Sequence, residues 1–178
     1  IKNAKKMFPD IPVIGITKPA KIPENYLDVV YITPTLEDAE KIIKAGADIV
    51  ALDATMRPRP NNQTLSEIIN FIKSRGKLAM ADIATYEEAK NAINLGADIV
   101  STTLSGYTAQ TKNLPPVPDF ELCRALVRDF RAPVIVEGKI WTPGQAEEAF
   151  KSGAFCVVIG SAITRPQLIT KRFTEILK

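Results

Sequence analysis

Apolar positions along this chain keep two rhythms, and the rhythms alternate. Short β-branched runs, apolar on both faces and bounded by turn residues, predict strands over 12–17, 48–52, 77–81, 98–102, 133–137 and 155–159. Between them, apolar residues recur at helical spacing over about 35–45, 64–75, 85–95, 119–129, 143–152 and 166–177. Several of these stretches open on helix-start signals. Thr35 precedes Glu37 and Asp38, while Thr64 with Glu67 and Thr85 with Glu88 have the spacing of a capping box.

One phrase recurs at every second strand. Gly46-Ala47-Asp48-Ile49-Val50 returns as Gly96-Ala97-Asp98-Ile99-Val100 and, worn, as Gly153-Ala154-Phe155-Cys156-Val157. The copies lie some fifty residues apart, a period that holds two strand–helix units of a repeating β/α fold. The three glycines fit as helix stops.

Doubly apolar strands alternating with helices require a parallel sheet covered by helices. An open doubly wound sheet satisfies this. So does an α/β (β/α)8 TIM barrel, which needs eight strands where six are visible. The chain opens on a helical pattern, Ile1 to Phe8, without an initiator Met. The barrel reading therefore expects the first two β/α units, on the order of 50 residues, to be absent ahead of Ile1. It makes residues 1–178 one N-terminally incomplete barrel domain. A further short strand is expected over 28–32, in the loop after the first strand.

The chain has 178 residues, 46% of them hydrophobic and 24% charged. That suits one globular unit with a sizeable core, and no apolar run has the length of a membrane span. There is no histidine, which removes His-based acid–base chemistry, Ser-His-Asp triads and His-ligated metals. Cys123 and Cys156 fall in a predicted helix and a predicted strand. They read as reduced core residues of a cytoplasmic protein and cannot build a zinc site. A net charge of +3 suits a small anion and falls far short of a nucleic-acid footprint. Chemistry is left to Lys, Asp, Glu, Tyr and backbone groups.

The strand ends show where that chemistry lies. One set of strands ends in Lys18, Asp82 and Glu137, three ionisable residues at equivalent positions on apolar strands. A barrel brings such ends to one mouth, where burial shifts pKa values, so catalysis is favoured over a salt-bridged rim. The other set ends in Asp53, Thr102-Thr103 and Gly160-Ser161. Gly138-Lys139 and Gly160-Ser161 with Arg165 follow the last two strands, where many barrels hold phosphate on backbone N–H groups. The hydroxyl-rich loop 102–108 is suited to sugar hydroxyls or to a lid, or is a plain turn. The stretch 109–118 is a long irregular connection, and Arg57-Pro58-Arg59-Pro60 reads as a stiff, structured loop.

Taken together, Val13 to Lys18, Tyr31 to Thr35, Ala51 to Thr55 with Arg57 to Pro60, Met80 to Ile83, Thr102 to Thr108, Glu137-Gly138 and Ala162 to Pro166 resemble the N-acetylmannosamine-6-phosphate 2-epimerase family. The resemblance runs along the whole chain. It implies a (β/α)8 barrel of sialic-acid catabolism that interconverts N-acetylmannosamine 6-phosphate and N-acetylglucosamine 6-phosphate with no nucleotide or metal. It matches Lys18 to the catalytic lysine and Asp82 and Glu137 to active-site carboxylates. It places Gly138, Gly160, Ser161 and Arg165 at the phosphate. The family's N-terminal strands, with a Gln and an Arg of the pocket, are missing from the sequence, and Lys139 stands where Arg is usual.

On this reading the substrate is a phosphorylated amino sugar, with neither nucleic acid nor membrane as partner, and a homodimer is left open. A neutral Lys18 would carry the C2 proton. Glu137 would open the ring or protonate the C1 oxygen, and Asp82 would orient the substrate or tune the lysine. Another sugar-phosphate barrel enzyme is the alternative; a Schiff-base lysine barrel is one case, whereas the histidine-dependent pentose-phosphate 3-epimerases lack their metal ligands here. A non-catalytic phosphosugar-binding module is the other alternative.

Overall fold

The computed structural model describes residues 1–177. The strands are β1 (Ile14–Gly15), β2 (Ile49–Asp53), β3 (Leu78–Asp82), β4 (Ile99–Ser101), β5 (Val134–Glu137) and β6 (Cys156–Val158). The helices are α1 (Lys2–Met7), α2 (Leu36–Lys44), α3 (Leu65–Ser74), α4 (Tyr86–Asn94), α5 (Phe120–Asp129), α6 (Pro143–Lys151), the single turn α7 (Ser161–Thr164) and α8 (Pro166–Thr174). Among the described residues the strands form one parallel sheet in the order β1-β2-β3-β4-β5-β6. A doubly wound sheet reverses its order at a switch point. This sheet never does, so it is an α/β half-barrel, an arc of parallel barrel wall.

The two faces of the arc explain the doubly apolar strands. Outward residues such as Val50, Leu52, Ala81, Val100 and Val136 join Ile42, Ile68, Ile69, Ile72, Ala89 and Leu126 of the helices in the main core. Inward residues Ala51, Met80, Ile99 and Ile135 form a second, smaller cluster. Helix starts follow the expected chemistry: Thr64 with Glu67 and Thr85 with Glu88 form complete capping boxes, and the Thr35 side chain accepts from the Asp38 amide. Gly46, Gly96 and Gly153 all take φ near +90°, where the chain leaves its helix and a β-carbon would be strained.

The repeated phrase has a mechanical role at the N-terminal end of the sheet. Asp48 accepts from the Val13 amide at 2.9 Å and pairs with Lys5 of α1 at 3.0 Å. Asp98 repeats this on the Ala79 amide at 2.9 Å and Lys73 of α3 at 2.8 Å. Each aspartate thus ties the start of its own strand to the preceding strand and to the helix before that one. In the worn copy Phe155 replaces the aspartate and stands 74% exposed.

Two expectations are corrected. The strand expected over 12–17 pairs only at Ile14–Gly15, because β1 is an edge strand and its continuation turns aside: the Thr17 amide donates to the Thr33 hydroxyl, and the Thr33 amide donates to the Thr17 carbonyl. No strand forms over 28–32. Val30 and Ile32 owe their apolar character to burial beneath loops, with the Val30 amide bonded to the Pro58 carbonyl.

Gly15 is where α2 closes on β1. A β-carbon there would overlap the Ile42 methyl group and come within 2.7 Å of Ile1 and 3.0 Å of Ala47. Gly15→Val should therefore lower stability by about 1–3 kcal/mol through overpacking. Urea denaturation measures it, and a variant as stable as the parent would show that α2 does not close on β1 this tightly.

Candidate active site

Pleating and register set the inner face at the C-terminal end of the sheet. Asp53 and Asp82 are direct partners across β2 and β3, Asp82 is opposite Ser101 of β4, and Ser101 is opposite Ile135 of β5. With side chains alternating along each strand, Asp53 and Asp82 continue the inward series of Ala51 and Met80. Glu137 points inward two residues beyond Ile135 and is opposite Val158. Asp53 and Asp82 are register partners, while Glu137 lies two residues beyond Ile135, the register partner of Ser101.

Asp53 is fully buried and neutralised locally. One oxygen accepts from the amide and hydroxyl of Thr55, at 3.0 and 2.7 Å, and the other pairs with Arg57. Arg57 also donates to the Tyr26 carbonyl, and Arg59 donates to the Asp53 carbonyl. The Arg-Pro-Arg-Pro stretch is the clamp of this aspartate. Asp53, expected at the substrate, lies behind the pocket wall because Arg57 and Thr55 take up its oxygens.

Among the described residues Asp82 forms no ion pair, and the charge of Lys18 pulls on it only weakly. It is 2% exposed and accepts from the Thr103 hydroxyl at 2.8 Å. Burial, reinforced by Glu137, holds its carboxyl well above the usual range. Glu137 is raised too, by burial, against the opposing pull of a Thr103 hydrogen bond and of Lys18. The Thr103 hydroxyl also lies 2.8 Å from Ser101 Oγ. Thr103 therefore links the two carboxyl groups, one deep and one facing the pocket.

A cavity of about 320 Å³ opens at this end of the sheet. Lys18, Thr103, Glu137, Gly138, Lys139, Gly160 and Ser161 line it, along with Tyr31, Ile32, Leu104, Tyr107, Ile140, Trp141 and Val158. Seven residues named from the sequence thus meet in one space, and four do not. Besides Asp53, Asp82 sits behind Thr103. Thr102 is 1% exposed, because its hydroxyl is taken up by the backbone amide and carbonyl of Glu137, at 3.3 and 3.2 Å. Arg165 is exposed on the turn between α7 and α8, off the wall.

The loop after β4 does not present its hydroxyls to the pocket as a group. Ser105 donates to Asp119 at 2.6 Å, Thr108 and Thr111 bond each other, and the Gly106 amide donates to Thr111. Only Thr103 and Tyr107 of residues 102–108 bring a hydroxyl to the wall. Sequence reasoning missed Tyr31 and Trp141. Tyr31 lay inside the supposed strand 28–32, and Trp141, whose ring stacks 4.6 Å from Arg172, follows β5 by a turn that carries no motif. Cys123, in α5, is buried on the helix side, where burial pushes its thiol up to about 11.

The whole chain, residues 1–178, matches the family described as "Putative N-acetylmannosamine-6-phosphate epimerase". A Clostridium perfringens SM101 protein named "Putative N-acetylmannosamine-6-phosphate 2-epimerase" is 48% identical over 177 residues, covering 99% of this chain and 77% of that protein. The solved N-acetylmannosamine-6-phosphate 2-epimerase of Clostridium perfringens superposes with a TM-score of 0.89 at 44% identity, covering 98% of this chain and 74% of the other. A 3-hexulose-6-phosphate synthase shares the fold alone, with a TM-score of 0.61 at 20% identity, over 98% of this chain and 78% of that one.

The buried carboxyl gives a prediction of definite sign. Because the folded pKa of Asp82 is raised, the folded chain holds this proton more tightly than the unfolded one. The associated stability is complete below the unfolded carboxyl value of about 4 and is lost as pH rises toward the folded value. Asp82→Asn keeps an acceptor for Thr103 but cannot ionise. Its Tm should decline less between pH 4 and 8, and at pH 7 should exceed that of the parent. Parallel thermal melts across that range test this; identical slopes would mean that Asp82 is not held protonated.

Proposed function

We infer, from the chain's membership of the N-acetylmannosamine-6-phosphate epimerase family, that it interconverts N-acetylmannosamine 6-phosphate and N-acetylglucosamine 6-phosphate by inversion at C2. The observation that carries this reading is the meeting of Lys18, Glu137, Gly138, Gly160 and Ser161 around one cavity. An amine, a carboxyl group and small residues with free backbone amides are the parts that an epimerisation of a sugar phosphate requires.

Inversion removes a proton α to the C1 aldehyde of the open-chain sugar and returns one to the opposite face. Lys18, three residues beyond β1, is the proposed base at C2. Glu137, raised by burial, retains a proton closer to neutrality than a free glutamate and suits proton donation to the C1 oxygen, at ring opening and at the enediol. Asp82 does not reach the cavity, so its proposed part is positioning: through Thr103 it fixes and tunes Glu137. The phosphate is assigned to Gly138, Gly160 and Ser161, with Arg165 joining from the adjoining turn. Its anchoring supplies binding energy remote from the reacting carbon.

The six-stranded arc is read as three quarters of an eight-stranded barrel wall and as part of a single domain. The coverage of relatives, 77% and 74%, supports this.

Two measurements test the reaction. In D2O, product epimerised by the chain should carry deuterium at C2. Lys18→Met should lower kcat by about two to four orders of magnitude, the usual worth of a positioned acid–base group. Product free of deuterium together with an active Lys18→Met variant would overturn the assignment.

A further inference from the structure

Lys139 was expected at the phosphate, yet its amine faces elsewhere. Gly138 and Lys139 are consecutive left-handed residues, with φ +97° and +60°. A side-chain-bearing residue in that region is uncommon and persists where its surroundings fix it. The Lys139 amine donates to the Pro115 carbonyl at 3.1 Å and lies 5.7 Å from the centroid of the Tyr107 ring. It also occupies the space where a β-carbon on Gly106 would stand, and Gly106 is itself left-handed at φ +86°. The Tyr107 ring in turn lies against Gly138, 3.8 Å from where a β-carbon of that residue would be. One ammonium thus gathers three points of the connection between β4 and α5.

We propose that Lys139 is a positioning residue whose ammonium pins the 105–118 segment, so that Tyr107 forms one wall of the substrate cavity. The phosphate is left to the backbone amides of Gly138, Gly160 and Ser161. The segment needs such a pin, because its hydroxyls are satisfied internally and it contains no regular helix or strand. Partial burial also lowers the Lys139 pKa, as packing of its amine against the loop would do. The kinetic part of this proposal rests on the epimerase reading; the pinning does not.

Lys112 lies exposed within the pinned segment and supplies a trypsin site. Lys139→Met should speed trypsin cleavage after Lys112, identified by fragment mass without any ligand, by about tenfold or more, because cleavage follows the open population. The same variant should raise KM for the sugar phosphate about tenfold, and by more than it lowers kcat, while inhibition by inorganic phosphate stays within about twofold of the parent. Unchanged cleavage with phosphate inhibition weakened about tenfold would make Lys139 a direct phosphate ligand and overturn the proposal. If Lys139→Met does not fold, Lys139→Gln carries the same comparison. Faster cleavage in a protein whose parent shows no epimerase activity would keep the pin and sink the proposed reaction instead.

Discussion

The inner face of this sheet sets Asp53 directly opposite Asp82, away from water, and two bare carboxylates cannot occupy that place. Like charges at such separation in a low-dielectric site drive one group to find a cation or keep its proton. The chain uses both answers. Asp53 receives Arg57 and the two donors of Thr55. Asp82 receives the Thr103 hydroxyl, and burial holds its carboxyl well above the usual range. The Arg-Pro-Arg-Pro loop folds back onto β2 to meet Asp53, while burial and the nearby Glu137, more than Asp53, raise the Asp82 carboxyl. A barrel mouth that needed no chemistry could place apolar residues there and gain stability.

The two ends of the strands carry separate burdens. At the N-terminal ends, Asp48 and Asp98 each bind a strand amide and a helix lysine, at the sheet margin and far from the cavity. Just past the end of β4 the chain brings Thr103 to the cavity wall, while Asp53 of β2 stays clamped behind it. Changes at Asp48 and Asp98 should therefore register as stability, whereas a change at Thr103 reaches the cavity. The worn third copy fits this division, since Phe155 has lost the tie while Gly160 and Ser161 keep their place on the wall.

What could be read from the sequence was whatever local chemistry dictates. Helix starts at Thr64 and Thr85 followed from one hydroxyl and one glutamate at fixed spacing, and Lys18 and Glu137 stood out as charges closing apolar runs. What could not be read depends on partners distant in sequence. The run from Asp28 to Ile32 has a strand's composition because loops bury it, and nothing within it records that it meets β2 only through the Asp53 amide at Ile32. Tyr31 and Trp141 reach the cavity only because β1 and β5 are folded toward each other. The meeting of Asp82 and Glu137 at Thr103 comes from the pairing between strands, which residue spacing within a strand cannot express.

The fate of the hydroxyl-rich loop carries the same argument into recognition. A cluster of Ser and Thr looks like a surface made for sugar hydroxyls, but a loop without regular structure must first satisfy its own backbone and side chains. Ser105, Thr108 and Thr111 are committed to that task. Thr102 is committed to the backbone of Glu137, which fixes where that carboxyl emerges. Thr103 is left at the centre, lining the cavity while bonded inward to Asp82. Tyr31, Tyr107 and Trp141 supply aromatic walls of the cavity. Ser105, Thr108 and Thr111 hold the loop itself in place.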